Sequence, residues 1–206
     1  MRIMSKPGFI IRGGFPVALR RQAAEIYFQA FEGKIGGILG RDGRGLRFVE
    51  GVIDPRFAIC AVSADETRLL GIAGFKTVDG AMVGGTLRDM AAVYGWVGAI
   101  WRGLLLSVLE RDLAEGQLLM DGIAVTSEAR GMGIGSALLD AIVDEAEKRG
   151  MKEVRLDVID SNRRAKSLYE RKGFIAGGRH STGPFSRLFG FSFATTMARP
   201  LVSRQG

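Results

Sequence analysis

One cysteine, Cys60, stands among 206 residues, which excludes an intrachain disulfide and any metal site built on a cysteine cluster. It sits in Ala58-Ile59-Cys60-Ala61-Val62, a run that reads as a buried strand in which a thiol acts as a small apolar side chain. No metal is expected. Histidine is as scarce: His180 stands alone near the end of a strand, a setting that suits a solvated or structurally bonded ring better than a base. An uninterrupted apolar run of membrane-spanning length is also missing. The nearest approach, Met90 to Leu109, is split by Arg102, and Gly95, Gly98 and Gly103 would let another backbone come close. A buried or interface helix is expected there rather than a membrane span. The opening MRIMSKPGFIIRGG lacks the apolar core of a signal peptide, so a cytoplasmic location without a membrane partner is the expectation.

The composition, 47% hydrophobic and 25% charged, suits one globular domain spanning residues 1–206. A net charge of +7 favours anionic partners, among them a small ligand carrying several phosphates. The cations are scattered, as at Arg20-Arg21, Arg41 and Arg44, Arg163-Arg164 and Arg171-Lys172, and no aromatics interleave with them. That pattern fits a solvated surface, and no nucleic-acid partner is expected.

Phe9-Ile10-Ile11 suits a first strand, and Pro16 opens a helix with Ala23, Ile26, Tyr27 and Ala30 at helical spacing. Strands at 57–62 and 69–78 form an antiparallel hairpin, followed by the helical insertion. From Leu118 the pattern sharpens into a strand to Val125, a helix from Ile134 to Arg149 and a strand from Glu153 to Val158, a βαβ unit. A second helix runs from Asn162 to Lys172. A strand leads from Gly173-Phe174 towards His180, and Phe189, Phe191 and Phe193 alternate through a last strand after the loop Ser181-Thr182-Gly183-Pro184.

Between strand and helix of the βαβ unit lies Arg130-Gly131-Met132-Gly133-Ile134-Gly135-Ser136. The first amides of a helix have no intrahelical partner and the dipole there is positive, so glycines that admit oxygens make a pocket for a pyrophosphate. A dinucleotide-binding unit fits poorly: Ser136 stands where a third glycine would fall, and five residues separate Val125 from Gly131. Too little chain follows for a doubly wound sheet, and no Gly-Lys-Ser or Gly-Lys-Thr marks a Walker loop.

Arg130-x-x-Gly133-x-Gly135 resembles the acetyl-CoA loop of the GNAT superfamily of N-acetyltransferases. Downstream, Asn162-Arg-Arg-Ala165-Lys-Ser-Leu168-Tyr169-Glu170-Arg-Lys-Gly173-Phe174 is similar to a second segment of that family, at the separation the family shows. The resemblance covers 118–180. It implies an α+β fold with a mixed, largely antiparallel central sheet flanked by helices, and an enzyme moving an acetyl group from acetyl-CoA to a primary amine. Ile123, Ala124 and Val125 would splay from the neighbouring strand and offer backbone groups to pantetheine. Arg130 to Ser136 (Arg130, Gly131, Met132, Gly133, Ile134, Gly135, Ser136) would hold the pyrophosphate, with Asn162 contributing.

Acyl transfer needs the amine deprotonated, the oxyanion stabilised and the departing thiolate protonated. Tyr169 lies seven residues, two turns, from Asn162, and a phenol with pKa near 10 can donate to a thiolate. The resemblance assigns it the acid role, against the alternative of a core aromatic beside Leu156. For the base, the resemblance points to Asp121, just ahead of the pantetheine contacts. A structural carboxylate is the alternative there, and Glu25 or Glu32 could serve instead. The insertion 90–109 would then line the acceptor pocket or pack on a second subunit in a homodimer. A CoA-binding module without turnover is the competing reading.

Overall fold

The computed structural model describes residues 2–6, 8–107, 113–181, 183 and 191–201. Two strands, β1 (Arg2–Lys6) and β2 (Phe9–Gly13), precede a helix, α1 (Arg20–Phe31), which is entered through a short 3-10 turn after Pro16. A π-helical stretch (Glu32–Gly36) leads into α2 (Gly37–Leu39) and then α3 (Arg44–Val52). β3 (Ala58–Ser63), β4 (Leu69–Thr77) and the short β5 (Gly80–Ala81) follow, then the inserted helix α4 (Leu87–Ser107). The second half runs β6 (Gln117–Val125), α5 (Ile134–Lys148), β7 (Glu153–Ile159), α6 (Arg163–Arg171), β8 (Ile175–Ser181) and β9 (Phe193–Pro200).

The strands form one sheet in the order β1-β2-β3-β4-β6-β7-β9-β8, with β5 paired to β4. β6 and β7 pair in parallel, and the other pairings are antiparallel. The expected mixed, largely antiparallel sheet with flanking helices is therefore present, as are the β3–β4 hairpin and the β6-α5-β7 crossover. α5 closes the core because Ile134, Ala137, Leu138, Ala141 and Ile142, at helical spacing, are all buried. On β7, Val154, Leu156 and Val158 are buried on one face and Arg155, Asp157 and Ile159 take the other.

The sequence reading needs several corrections. β1, α2, α3 and β5 went unread. The final strand starts at Phe193, since β9 pairs with β7 and that pairing ends at Ile159 opposite Ala194. Phe189, Thr182 and Pro184 lie outside the described residues. α4 spans most of the expected insertion, with Leu109 outside the described residues, but it is not a buried helix. Only 11% of its most apolar stretch is buried, and Gly95 breaks it with φ of 70°. Among the described residues it is the one helix long and apolar enough to cross a membrane, by length and composition.

Candidate active site

The parallel pairing of β6 and β7 begins at Gln117 opposite Glu153 and stops at Met120 opposite Leu156. Both strands continue past that point, β6 to Val125 and β7 to Ile159, each held on its far side by β4 or β9. The strands thus fork at the centre of the sheet. Beyond Met120, β6 has no β7 partner, so among the described residues the backbone of Ile123 to Val125 on that side can serve a ligand lying along the edge. Ile123, Ala124 and Val125, the expected splayed segment, lie in this free stretch.

Asp121 stands at the fork because of a bulge. Gly74 pairs with Gly122 and Phe75 with Met120, leaving Asp121 as the extra residue. Gly122 lets α1 press onto the bulge, since a Cβ there would lie 2.4 Å from Phe31 Cζ. Tyr27, one turn earlier, packs on Phe31 with ring centroids 4.6 Å apart. Burial, and then the charge of Asp121, push the Tyr27 hydroxyl above its ordinary pKa.

At the open end of the fork β6 leads into the glycine loop. Gly133 caps α5 with φ of 78°, a left-handed conformation that a side chain would strain, and a Cβ there would meet no atom of the chain within 4 Å. The first bond of α5 runs from Ala137 N–H to the Gly133 carbonyl at 3.0 Å, so the amides of Ile134, Gly135 and Ser136 precede the helical ladder. Arg130, Gly131, Met132 and Gly133 are exposed beside them. The loop is open to an anion, and its chemistry fits a pyrophosphate.

α6 starts at the carboxyl end of β7. Asn162 caps it, its side-chain oxygen accepting from Ala165 N–H at 3.1 Å, so this oxygen is committed to the helix rather than free for a ligand. A Cβ on Gly135 would lie 4.0 Å from both Leu168 Cδ2 and Val125 Cγ2, so loop, α6 and free β6 edge meet there. Lys172 Nζ bonds Asp140 at 2.7 Å and ties α6 to α5. Tyr169 is 7% exposed, its ring 5.9 Å from that of Phe174. Burial pushes its hydroxyl up to about 12.

On the other side of the fork lies a cavity of about 970 Å³, walled by α1, α3, α4 and the β4–β5 turn, with Asp121 and Asp157 both on its lining. α4 therefore contributes to the pocket, through Met90, Ile100 and Leu104 among others. Glu25 and Glu32, the alternative bases, are not on the lining; they pair with Arg21 at 3.0 Å and Arg41 at 3.3 Å. Asp157 was missed by the sequence reading. Its signal was there in the alternation that puts it opposite the buried face of β7. His180 reaches this acid indirectly: the Thr196 hydroxyl donates to Asp157 Oδ1 at 2.5 Å, and His180 Nε2 lies 3.0 Å from the same hydroxyl. Since that hydroxyl has one proton, His180 is the donor in the second bond.

The sequence model of the acetyltransferase (GNAT) family matches residues 46–174, more than half of the chain. The chain belongs to the GNAT acetyltransferase family. No curated protein matches it. Solved structures with the same fold include a GCN5-related N-acetyltransferase from Kribbella flavida, with TM-score 0.62 and 18% identity over 96% of this chain and 100% of that one. Another is the ribosomal-protein-S18-alanine N-acetyltransferase from Escherichia coli, with TM-score 0.57 and 16% identity over 96% and 98%. A third, yncA from Salmonella typhimurium, was solved with its cofactor acetyl-CoA; its TM-score is 0.59 at 15% identity, over 97% of each chain. At such identities these show the GNAT fold and no more.

Buried hydroxyls and the Cys60 thiol of this GNAT chain make its stability sensitive to alkali. Burial raises Tyr27, Tyr169 and Cys60 above their unfolded values, so the unfolded chain loses these protons first. The stability they contribute is full below the unfolded values and falls as pH rises. For Tyr169 the window runs from 10.0 to about 12. Urea unfolding should show a loss of about 3 kcal/mol from Tyr169 alone across it.

Proposed function

We propose that the protein transfers an acetyl group from acetyl-CoA to a primary amine. The observation that carries this is the forked pair β6 and β7, with the glycine loop at its open end and a carboxylate-bearing cavity on its other side. Acetyl-CoA, as co-substrate, supplies a thioester whose acyl carbon an amine can attack. The loop amides and Arg130 hold the pyrophosphate, and the free backbone of Ile123, Ala124 and Val125 holds pantetheine. Asn162 supports this site by fixing the start of α6.

Asp121, at the fork and on the cavity lining, takes a proton from the incoming ammonium so that nitrogen carries a lone pair. The C–N bond forms and the C–S bond breaks. Tyr169 O–H donates to the leaving sulfur and recovers a proton from the nitrogen side. With its pKa pushed up to about 12, Tyr169 is protonated throughout the neutral range. Donation from so weak an acid requires that the thiolate, near 8.5 as a free cysteine-type thiol, be raised by the same burial.

Gly133→Val tests the cofactor half. The substitution strains a left-handed position and projects into the loop's open side. CoA affinity should fall by at least about 10-fold, roughly the loss of one charge-assisted bond. Calorimetry on the folded variant reads it, and unchanged affinity would place the pyrophosphate elsewhere.

A further inference from the structure

The cavity also says what kind of amine it takes. We infer, resting on the acetyl-transfer reading, that the acceptor is a monoamine carried on an apolar body, an alkylamine or arylalkylamine rather than a polyamine, amino acid or peptide terminus. At about 970 Å³ the space suits a drug-sized molecule. Its walls are largely apolar: Tyr27 and Phe31 from α1, Phe48 from α3, and Met90, Ile100 and Leu104 from α4. Ile100 and Leu104 are 53% and 66% exposed, so among the described residues apolar surface borders the space. An apolar guest would remove that surface from water.

Two acids stand together at the fork. Asp121 and Asp157 are each the first residue beyond the last β6–β7 pair, and both line the cavity at the fork. An ammonium is drawn there, beside the point where the thioester must lie. Asp54, Asp79, Arg56 and Lys76 complete the charged lining. Arg56 is held by Asp54 at 2.7 Å, and Lys76 is likewise engaged. A carboxylate on the substrate would face the Asp121 and Asp157 pair, and both cations of the lining among the described residues are already engaged. A run of peptide groups, or a second ammonium held away from Asp79, would lie desolvated against Phe31, Phe48 and Leu104.

The test is calorimetry of n-alkylamines from butylamine to octylamine, with spermidine and alanine amide, on the CoA-saturated protein, paired with acetyl-CoA turnover on the same amines. Affinity should rise about three- to fourfold per added methylene, with spermidine and alanine amide weaker than octylamine. In the double variant Ile100→Ser, Leu104→Ser the slope should flatten while CoA affinity holds. Both positions are exposed enough for the variant to fold. Affinity independent of chain length, or spermidine or alanine amide bound more tightly than octylamine, overturns the inference. Rising affinity with no turnover on any amine removes the acetyl-transfer reading and leaves the pocket's preference standing.

Discussion

Tyr169→Phe should lower kcat and kcat/KM together by about 10²-fold while CoA affinity stays close to that of the parent. The substitution removes one hydroxyl from a ring that is 7% exposed and packed against Phe174, and leaves the ring in place. A proton needed only as sulfur departs is a transition-state interaction, so ground-state binding does not register its loss. No hydrogen bond to that hydroxyl restrains the fold among the described residues, and thermal stability of the variant should be near normal. The pH profile separates the acid role from packing. Because burial holds Tyr169 at about 12, the parent's kcat should show no alkaline decline from this group until well above neutrality. A Phe variant with near-parent turnover would make Tyr169 a core aromatic and leave the proton to water near Asp121.

Asp121→Asn should lower kcat/KM for the amine by about 10²-fold or more, with CoA affinity again unchanged. Its place argues for the effect: the bulge sets it at the fork, on the cavity lining, within electrostatic reach of Tyr27. Asn keeps the shape and removes the charge and the proton acceptor. If Asp121 takes the amine's proton, raising the pH should restore part of the lost rate, because more amine arrives already neutral. A deficit constant across pH, accompanied by lower thermal stability, would identify a structural carboxylate instead.

The glycine loop and α5 were legible in the sequence because each rests on local rules, alternating glycines at a helix start and a 3.6-residue stripe, and α6 was legible through the family-like segment 162–174, whereas the capping role of Asn162 came only from the structure. The fork was implied only by family resemblance, since the end of pairing at Met120 and Leu156 depends on two strands separated by a helix. Gly122 gave no signal, because its need arises from the Phe31 ring of a distant helix. α3 was hidden by its glycines. Gly45 is buried against the Phe28 ring, where a Cβ would come within 2.6 Å, so tertiary contact overrides its poor helix propensity. α4 misled through its composition: its apolar residues suggested burial, whereas Ile100 and Leu104 border the cavity and Trp96 and Val97 are 62% and 83% exposed. That Glu25 and Glu32 lie off the cavity lining and pair with Arg21 and Arg41 depends on the packing of α1 and the following turn.

Transfer itself is tested most directly by incubating the protein with acetyl-CoA and a panel of primary amines, following thiol release and weighing the amine product by mass spectrometry. The account predicts thiol release that depends on the amine, matched by an N-acetyl product and strongest for amines with apolar bodies. CoA binding at the loop with no amine-dependent release and no acetylated product would contradict it, and would make the chain a CoA-binding module on a GNAT fold.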